Sequence, residues 1–372
     1  MKKSIKINLY QEEKLIFADN LEKISQKISE ILPFGKVAIL SFGDEFFNFG
    51  NQLKNLLLQN GLKVIDIIIS NNFSAQKDVF NDFLSLPEDV RGVIAFGERL
   101  IPLIFSNFLI DKTAFYIEIE KISCGLTQNY FYIRDYDLLE KLQNRKQTYI
   151  ITKIGVVNAS EIIKCACIYV NMLVDYIFRQ NLLQEDIDKS FVGRVKSVLI
   201  DLLFMIKSGD MVDKKKIRKC LLFVEELLVE KECYYSCSAI ISCFITKDTF
   251  FDLDCTYIAS KIIMGEYCQA FNKGCALIDY NESAKTLSFM ARLNSNYVLD
   301  YLCKCIKSIS TKNLFKIKEE MEKLTLLYYD FDNCLGQSSE LNYNMERENI
   351  LLSINLSGVS PFGINGMTVF NK

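Results

Sequence analysis

Histidine is absent from this chain of 372 residues, and so is tryptophan. Without an imidazole the chain cannot form a Ser-His-Asp triad or a Cys-His nucleophile pair. Metal sites with histidine ligands and acid–base chemistry by imidazole are excluded for the same reason. Proline and glycine are also scarce, with 4 and 16 residues.

The chain has almost no excess charge, with 44 basic and 46 acidic residues. A formal net charge of −2 does not provide the excess positive charge that binding to nucleic acid or an anionic membrane requires. The basic run at 213–219 (DKKKIRK) lacks interleaved aromatic residues, so it predicts a solvated helix start rather than a nucleic-acid surface. We expect no nucleic-acid partner and no membrane partner.

The sequence predicts neither a secretion signal in its first residues nor a membrane span. The N-terminal stretch MKKSIKINLYQEEK is charged and is not followed by an apolar segment. No apolar run approaches the roughly 18 residues of a transmembrane helix. We expect a cytoplasmic protein.

Cysteine is abundant, with 13 residues, but no Cys-x2-Cys pair occurs. Zinc-ribbon and thioredoxin-type spacings are therefore absent. Most cysteines lie among Ile, Leu and Phe, which is typical of small core residues. A thiolate site for a soft metal ion, formed by Cys233, Cys237 and Cys243, is an alternative interpretation of one cluster.

Residues 1–150 alternate short apolar runs with helical periodicity, which predicts a parallel sheet with helices on both faces. The expected strands are Lys36–Phe42, Lys63–Ile69, Gly92–Phe96 and Thr113–Ile119, and the segment around Ile5–Tyr10 is a candidate edge strand. The expected helices are Phe46–Asn60, which ends before Gly61, Asp78–Leu86, and a stretch ending near Ile110.

Residues 151–372 change to helical periodicity, which predicts an all-α C-terminal domain. The expected helices are Glu161–Phe178, Arg194–Lys207, Lys214–Val229, Ser238–Phe244, Tyr257–Asp279, Asn296–Ser308 and Asn313–Tyr329, and a late strand is expected at Asn349–Leu356. In such an arrangement a ligand binds at the carboxyl ends of the strands, between the domains.

Several short motifs occur in the order that one enzyme family shows. The stretch S-E-I-I-K at 160–164 is similar to an A-E-V/I-I/V-K signature, and M-G-E at 264–266 is similar to an H-G-E segment. Between them, S-A-I-I-S-C at 238–243 is similar to G-H-T-x-G-H, and Asp135 or Asp137 matches an aspartate before the helical domain. These motifs resemble those of the 3-dehydroquinate synthases. The iron-containing alcohol, glycerol and glycerol-1-phosphate dehydrogenases are the nearest alternative.

The resemblance implies a divalent metal, usually zinc, held by one Glu and two His. Glu161 matches the Glu ligand, but Ala239 and Met264 occupy the histidine positions and Cys243 replaces a further active-site histidine. One carboxylate cannot hold catalytic zinc, which takes three protein ligands. Lys164 lies three residues beyond Glu161 on the same helix face, where it can pair with Glu161 or contact an anion.

The resemblance also implies NAD, bound at a Gly-Gly-Gly turn after a strand. Here the turn is Gly97-Glu98-Arg99, so the Glu98 side chain adds bulk and negative charge where the phosphate would lie. Arg99 can offset the charge of Glu98 but not its bulk. Asp44 and Lys77 match further cofactor-binding residues of the family. The expectation is a nucleotide-type fold that has lost its nucleotide.

The family's substrate motifs are mostly missing. Lys121 or Gly125 is a candidate remnant of the substrate segment. The family's Asp-Lys-Lys motif near the C-terminal strand is absent, and Asp330 and Asp332 occur in that region without adjacent lysines.

Three hypotheses follow from these departures. The first is a catalytically silent dehydroquinate-synthase-like protein that senses a ligand, acts as a scaffold or subunit, or has another repurposed role. The second is an active lyase or related NAD-dependent dehydrogenase with rewired metal ligation. The third is an unrelated transferase. A small-molecule ligand is expected, and the resemblance implies a homodimer.

Overall fold

The architecture is taken from a computed structural model of the full chain. The structure describes residues 9, 12–69, 86–105, 109, 111–127, 130–135, 138–143, 147–182, 185–209, 211, 213–231, 233, 253–254, 256–258, 260–261, 264–265 and 314–335. Several elements expected from the sequence lie outside the described residues. They are Ile5–Tyr10 (apart from Leu9), residues 78–85, Ser238–Phe244, most of Tyr257–Asp279, Asn296–Ser308 and Asn349–Leu356.

A six-stranded parallel sheet forms the first part of the chain. Its strands are β1 (Leu15–Ala18), β2 (Lys36–Phe42), β3 (Lys63–Ile69), β4 (Val90–Phe96), β5 (Thr113–Glu118) and β8 (Tyr149–Lys153). Their order is β1-β8-β5-β4-β2-β3, and every pairing is parallel. A separate antiparallel hairpin consists of β6 (Tyr130–Asp135) and β7 (Leu138–Gln143). The parallel sheet is confirmed, whereas strands β1 and β8 and the hairpin were not expected from the sequence.

The helices described before β8 are short. They include α1 (Leu21–Ile31), α2 (Asn51–Gln59) and α3 (Ile101–Ile104), and a single turn at Gly43–Glu45 and a π-helical segment at Phe46–Gly50 lead into α2. The predicted helix Phe46–Asn60 is therefore only partly α-helical. Gly61 follows it with a φ of +87°, as the glycine beyond a helix C-terminus does.

After the sheet, the described part of the chain contains four long helices: α4 (Ala159–Leu182), α5 (Lys189–Ser208), α6 (Lys214–Glu230) and α7 (Leu314–Asp332). All residues described after Val156 are helical or lie in loops between helices. The expected α/β region followed by a helical region is therefore confirmed. None of the described helices is both long enough and apolar enough to cross a membrane.

Two cores cover the two faces of the sheet, because side chains alternate along each strand. Val37 and Ile39 face α1 and α2 with Phe115, whereas Ala38 and Leu40 face the core that includes α3 and the long helices. Cys165 and Cys167 on α4 are completely buried in this second core, as the sequence predicts.

Candidate functional site

The first element of the site is the turn that follows β4. Gly97 has a φ of +101°, which favours glycine, and a Cβ there would overlap the carboxylate of Glu45. Glu45 follows β2 and accepts a hydrogen bond from the Phe42 N–H at 3.3 Å. A carboxylate therefore packs directly against the turn at the edge where parallel sheets bind phosphates.

Glu98 brings a second carboxylate to this turn. The residue is only 6% exposed, and its Oε2 lies 2.6 Å from the Lys121 ammonium in the loop after β5. Its two oxygens accept hydrogen bonds from the Leu253 N–H at 3.2 and 3.3 Å. Glu98 thus links the turn to the helical region, and Lys121 supplies the counter-charge that sequence analysis assigned to Arg99, whose side chain lies outside the described part.

The start of α4 carries the second half of the site. Asn158 caps the helix by accepting the Glu161 N–H at 3.1 Å. The Lys164 ammonium lies 3.2 Å from Oε1 of Glu161, as the spacing of three residues predicts, and 2.6 Å from Oδ1 of Asp254. The helical residue Asp254 therefore joins α4 to a distant part of the chain.

The charges of this group shift the pKa values of two members. Burial lowers the pKa of Lys164, but its hydrogen bond to Asp254 and the charges of Asp254 and Glu161 outweigh burial and hold that pKa above its ordinary value. Burial raises the pKa of Asp254, but its hydrogen bond to Lys164 and the charge of Lys121 hold that pKa below its ordinary value. Both groups are therefore charged at neutral pH.

Lys121 connects Glu98 to the pair of Asp254 and Lys164, because its ammonium nitrogen lies 3.6 Å from Oδ2 of Asp254. We call the five side chains the interdomain charge network: Glu98, Lys121, Asp254, Lys164 and Glu161. Sequence analysis found Glu161 and Lys164 by motif and Lys121 as a remnant, but it missed Asp254 and Glu45. No local pattern marks those two residues, because their neighbours come from remote segments.

The described residues do not fit a catalytic divalent metal. Glu161 is the one carboxylate of the family motif, and its Oε1 contacts an ammonium, which is a cation and cannot act as a ligand. Met264 at one histidine position is completely buried, and its thioether is a poor donor for zinc. Within the described part of the chain no three His, Cys, Asp or Glu residues are grouped to hold a metal ion.

The turn after β4 does not fit a dinucleotide pyrophosphate either. Phosphates bind where backbone N–H groups at a glycine-rich helix start approach them without a competing negative charge. Here the carboxylates of Glu45 and Glu98 lie at the turn, and Glu98 accepts the Leu253 N–H. The turn therefore carries negative charge, and the Glu98 carboxylate is already hydrogen-bonded within the protein.

A second buried cluster fixes the loop between β5 and the hairpin. Arg218 on α6 contacts Glu118 with Nη2 2.6 Å from Oε1, and both side chains are completely buried. Glu118 also accepts the Thr152 hydroxyl at 2.6 Å and the Ser123 N–H at 2.8 Å. Burial lowers the pKa of Arg218, but the charge of Glu118 outweighs it and holds the pKa above its ordinary value.

Glu225 anchors the same loop two helical turns further along α6. It accepts the backbone N–H groups of Gly125 and Thr127 at 2.8 and 2.6 Å and the Tyr169 hydroxyl at 3.0 Å. Burial raises the pKa of Glu225 above its ordinary value. Gly125, a predicted substrate remnant, is thus held by a protein carboxylate.

Arg218 also corrects one interpretation of the sequence. The run at 213–219 does begin a helix, and Asp213 caps it by accepting the Lys216 N–H at 3.0 Å. Arg218 is not solvated, however, because it lies on the buried face with Leu221 and Leu222. Its spacing of seven residues from Glu225 was the signal that could have indicated this face.

The remaining predicted residues are separated from the network or lie outside the described part. Asp44 is exposed in the turn after β2, and Asp135 is the last residue of β6. Asp330 and Asp332 lie at the end of α7, where they pair with Lys207 at 2.9 Å and Lys261 at 3.1 Å. Lys77, Asp137, Ala239, Cys237 and Cys243 are outside the described residues, so their assigned roles remain predictions.

Comparison with known proteins identifies the fold. No family model and no curated protein matches the sequence. The glycerol dehydrogenase of Schizosaccharomyces pombe is similar in structure, with a TM-score of 0.50 and 9% identity over 95% of this chain and 84% of that one. A mutant of an archaeal halo-thermophilic alcohol dehydrogenase from a Red Sea brine pool gives 0.50 and 13%, over 100% and 99%.

A 1,3-propanediol oxidoreductase gives a TM-score of 0.50 with 11% identity, over 92% of this chain and 91% of that one. These likenesses show the fold, a parallel α/β region followed by a helical region, which is the fold that the sequence resemblance implies. Fold alone does not establish activity.

Proposed function

We propose that this protein is a catalytically silent, dehydroquinate-synthase-like protein that binds a ligand or serves as a scaffold. The observation that carries the proposal is Met264, which is completely buried and stands where the resemblance implies a histidine metal ligand. The Lys164 ammonium also lies between Glu161 and Asp254, so an internal cation pairs with the carboxylate that the family motif assigns to a metal.

The turn after β4 supports the same conclusion. Hydride transfer needs a nicotinamide held within near-attack distance, and the phosphates of the cofactor supply much of that positioning. Glu98 is buried at the turn, where it forms an ion pair with Lys121 and accepts the Leu253 N–H. Moving it aside would break both interactions. Neither family cofactor, NAD or zinc, is expected to be retained.

The loop after β5 provides a third argument. In the family resemblance this region carries the substrate segment, whereas here Glu118, Arg218 and Glu225 bond its backbone to α6. The backbone groups of Ser123, Gly125 and Thr127 are therefore already hydrogen-bonded within the protein.

Genetic complementation tests the proposal. Expression in a bacterium that lacks its own dehydroquinate synthase is expected not to restore growth without aromatic amino acids. A dehydroquinate synthase expressed from the same vector is the positive control, and soluble protein must be measured in both strains. Growth that disappears in the Glu161→Gln and Lys164→Met variants would contradict the proposal.

The second candidate is an NAD-dependent dehydrogenase, and the specific observation that favours it is the fold. Two of the similar structures are a glycerol dehydrogenase and a 1,3-propanediol oxidoreductase. NADH formation with glycerol and 1,3-propanediol, measured with and without added zinc or ferrous iron, distinguishes the candidates. We expect no turnover above the rate of heat-inactivated protein, and turnover abolished by Glu161→Gln would support the dehydrogenase instead.

A further inference from the structure

One carboxylate oxygen in the interdomain charge network is buried without a hydrogen-bond donor. The Glu161 side chain is 10% exposed, and while Oε1 contacts Lys164, Oε2 is inaccessible to solvent and makes no hydrogen bond. Buried carboxylate oxygens are nearly always satisfied, because an unmet acceptor forfeits its hydration without compensation. Oε2 therefore marks a position that a donor outside the described contacts would satisfy.

The charges around Oε2 define which donor fits. Glu161 and Asp254 share the single ammonium of Lys164, and Asp254 receives additional charge from Lys121 at 3.6 Å. The three carboxylates Glu98, Asp254 and Glu161 thus share two ammonium groups, which leaves one negative charge in excess. A carboxylate accepts hydrogen bonds only, and its strongest partners are positively charged donors.

We propose that Glu161 binds the primary ammonium group of a small amine ligand through Oε2. An ammonium has three N–H donors and full positive charge, so it complements an acceptor that Lys164 leaves unsatisfied. An anionic ligand is disfavoured by Glu161 itself and by the acidic turn at Glu45 and Glu98. This inference rests on the proposed function and deepens it, since it names the ligand class of the same group of side chains.

Thermal unfolding with two probe cations tests the proposal. Methylammonium chloride has N–H donors, whereas tetramethylammonium chloride carries the same charge without them. At constant ionic strength, methylammonium is expected to raise the unfolding midpoint of the wild-type protein in a saturable way, because a ligand that binds only the folded state stabilises it. Equal effects of the two cations, or no saturable effect of methylammonium, would overturn the proposal.

Two variants locate the site. Glu161→Gln keeps the side-chain size but removes the charge, and we expect it to weaken methylammonium binding at least tenfold. The matched control is Glu320→Gln, which makes the same change in the ion pair with Lys196 at 3.0 Å on α5. The control should bind like the wild type, and an equal loss in both variants, or no loss in Glu161→Gln, contradicts the assignment.

Lys164→Met provides an independent check. This variant removes the internal ammonium that competes for Glu161 and Asp254, so methylammonium should bind several-fold more tightly than to the wild type. Unchanged or weaker binding would overturn the proposal even if Glu161→Gln fails to fold. Zinc and NAD titrations are measured separately, so a failure of the amine proposal is distinguishable from a failure of the proposed function.

Discussion

Lys164 holds its ammonium nitrogen 3.2 Å from Oε1 of Glu161, one helical turn away on α4. The two residues belong to the best-matched family motif, and in this chain they form an ion pair that Lys164 extends to Asp254. A motif can therefore persist in sequence while its side chains form an internal ion pair. The account predicts consequences for stability as well as for ligand binding.

The first prediction concerns the buried pair of Glu118 and Arg218. Glu118→Gln should lower the free energy of unfolding by about 3–5 kcal/mol, because it leaves a buried guanidinium without its counter-charge. Urea unfolding measures the change. Glu320→Gln, in a half-exposed ion pair, is the control and should produce a much smaller loss. Equal losses would show that the buried pair has no special role.

The second prediction concerns the turn after β4. Gly97→Ala should destabilise the protein by about 1–3 kcal/mol, because a φ of +101° strains any other residue and the new Cβ meets Glu45. Gly193→Ala is the matched control, since Gly193 is an exposed helical residue with open space around it. That control should be neutral or stabilise α5 by up to about 1 kcal/mol. Chemical denaturation of both variants checks the contrast.

The third prediction concerns pH. The pKa of Asp254 lies below its ordinary value of 3.8 in the folded protein, so its stabilising effect is present above pH 3.8 and is lost as pH falls through the folded pKa. Asp254→Asn should therefore cost about 1 kcal/mol near pH 6, a modest value because the side chain is half exposed. The difference from the wild type should shrink below pH 4. Urea unfolding across this range measures it, and a difference that grows in acid would contradict the ion-pair assignment.

The fourth prediction concerns metal content. Protein purified without chelators should contain less than one equivalent of zinc, cobalt or iron, because Lys164 occupies Oε1 of Glu161 and Met264 is a poor ligand. Elemental analysis by mass spectrometry measures the content. One tightly held ion per chain that is lost in Glu161→Ala would be the contrary result.

Sequence patterns predicted strands β2 and β3 well, because each is a mostly apolar run of seven residues. The edge strand β1 has only four residues, and β8 lies where helical periodicity was expected to begin. Neither strand is long enough for its pattern of apolar and polar residues to identify it as a strand from the sequence alone. Their pairing with the sheet, rather than local propensity, determines their conformation.

The candidate site was predictable only where its members are close in sequence. The pairing of Glu161 with Lys164 follows from helical spacing, whereas Asp254 is 90 residues from Lys164 and no pattern connects them. Arg218 was obscured by the lysines around it, although its side chain turns into the core beside Ile217. Long-range charge pairing depends on how the segments pack, which a single sequence does not encode locally.

The measurement that tests the central claim most directly is a calorimetric titration of the wild-type protein with NAD, in the presence of zinc. The account predicts no binding in the low-micromolar range, because Glu45 and Glu98 make the turn acidic and Glu98 is already bonded to Lys121 and the Leu253 N–H. A dissociation constant in the low-micromolar range, with one NAD per chain, would contradict the account. It would mean that the interdomain charge network opens to admit the cofactor.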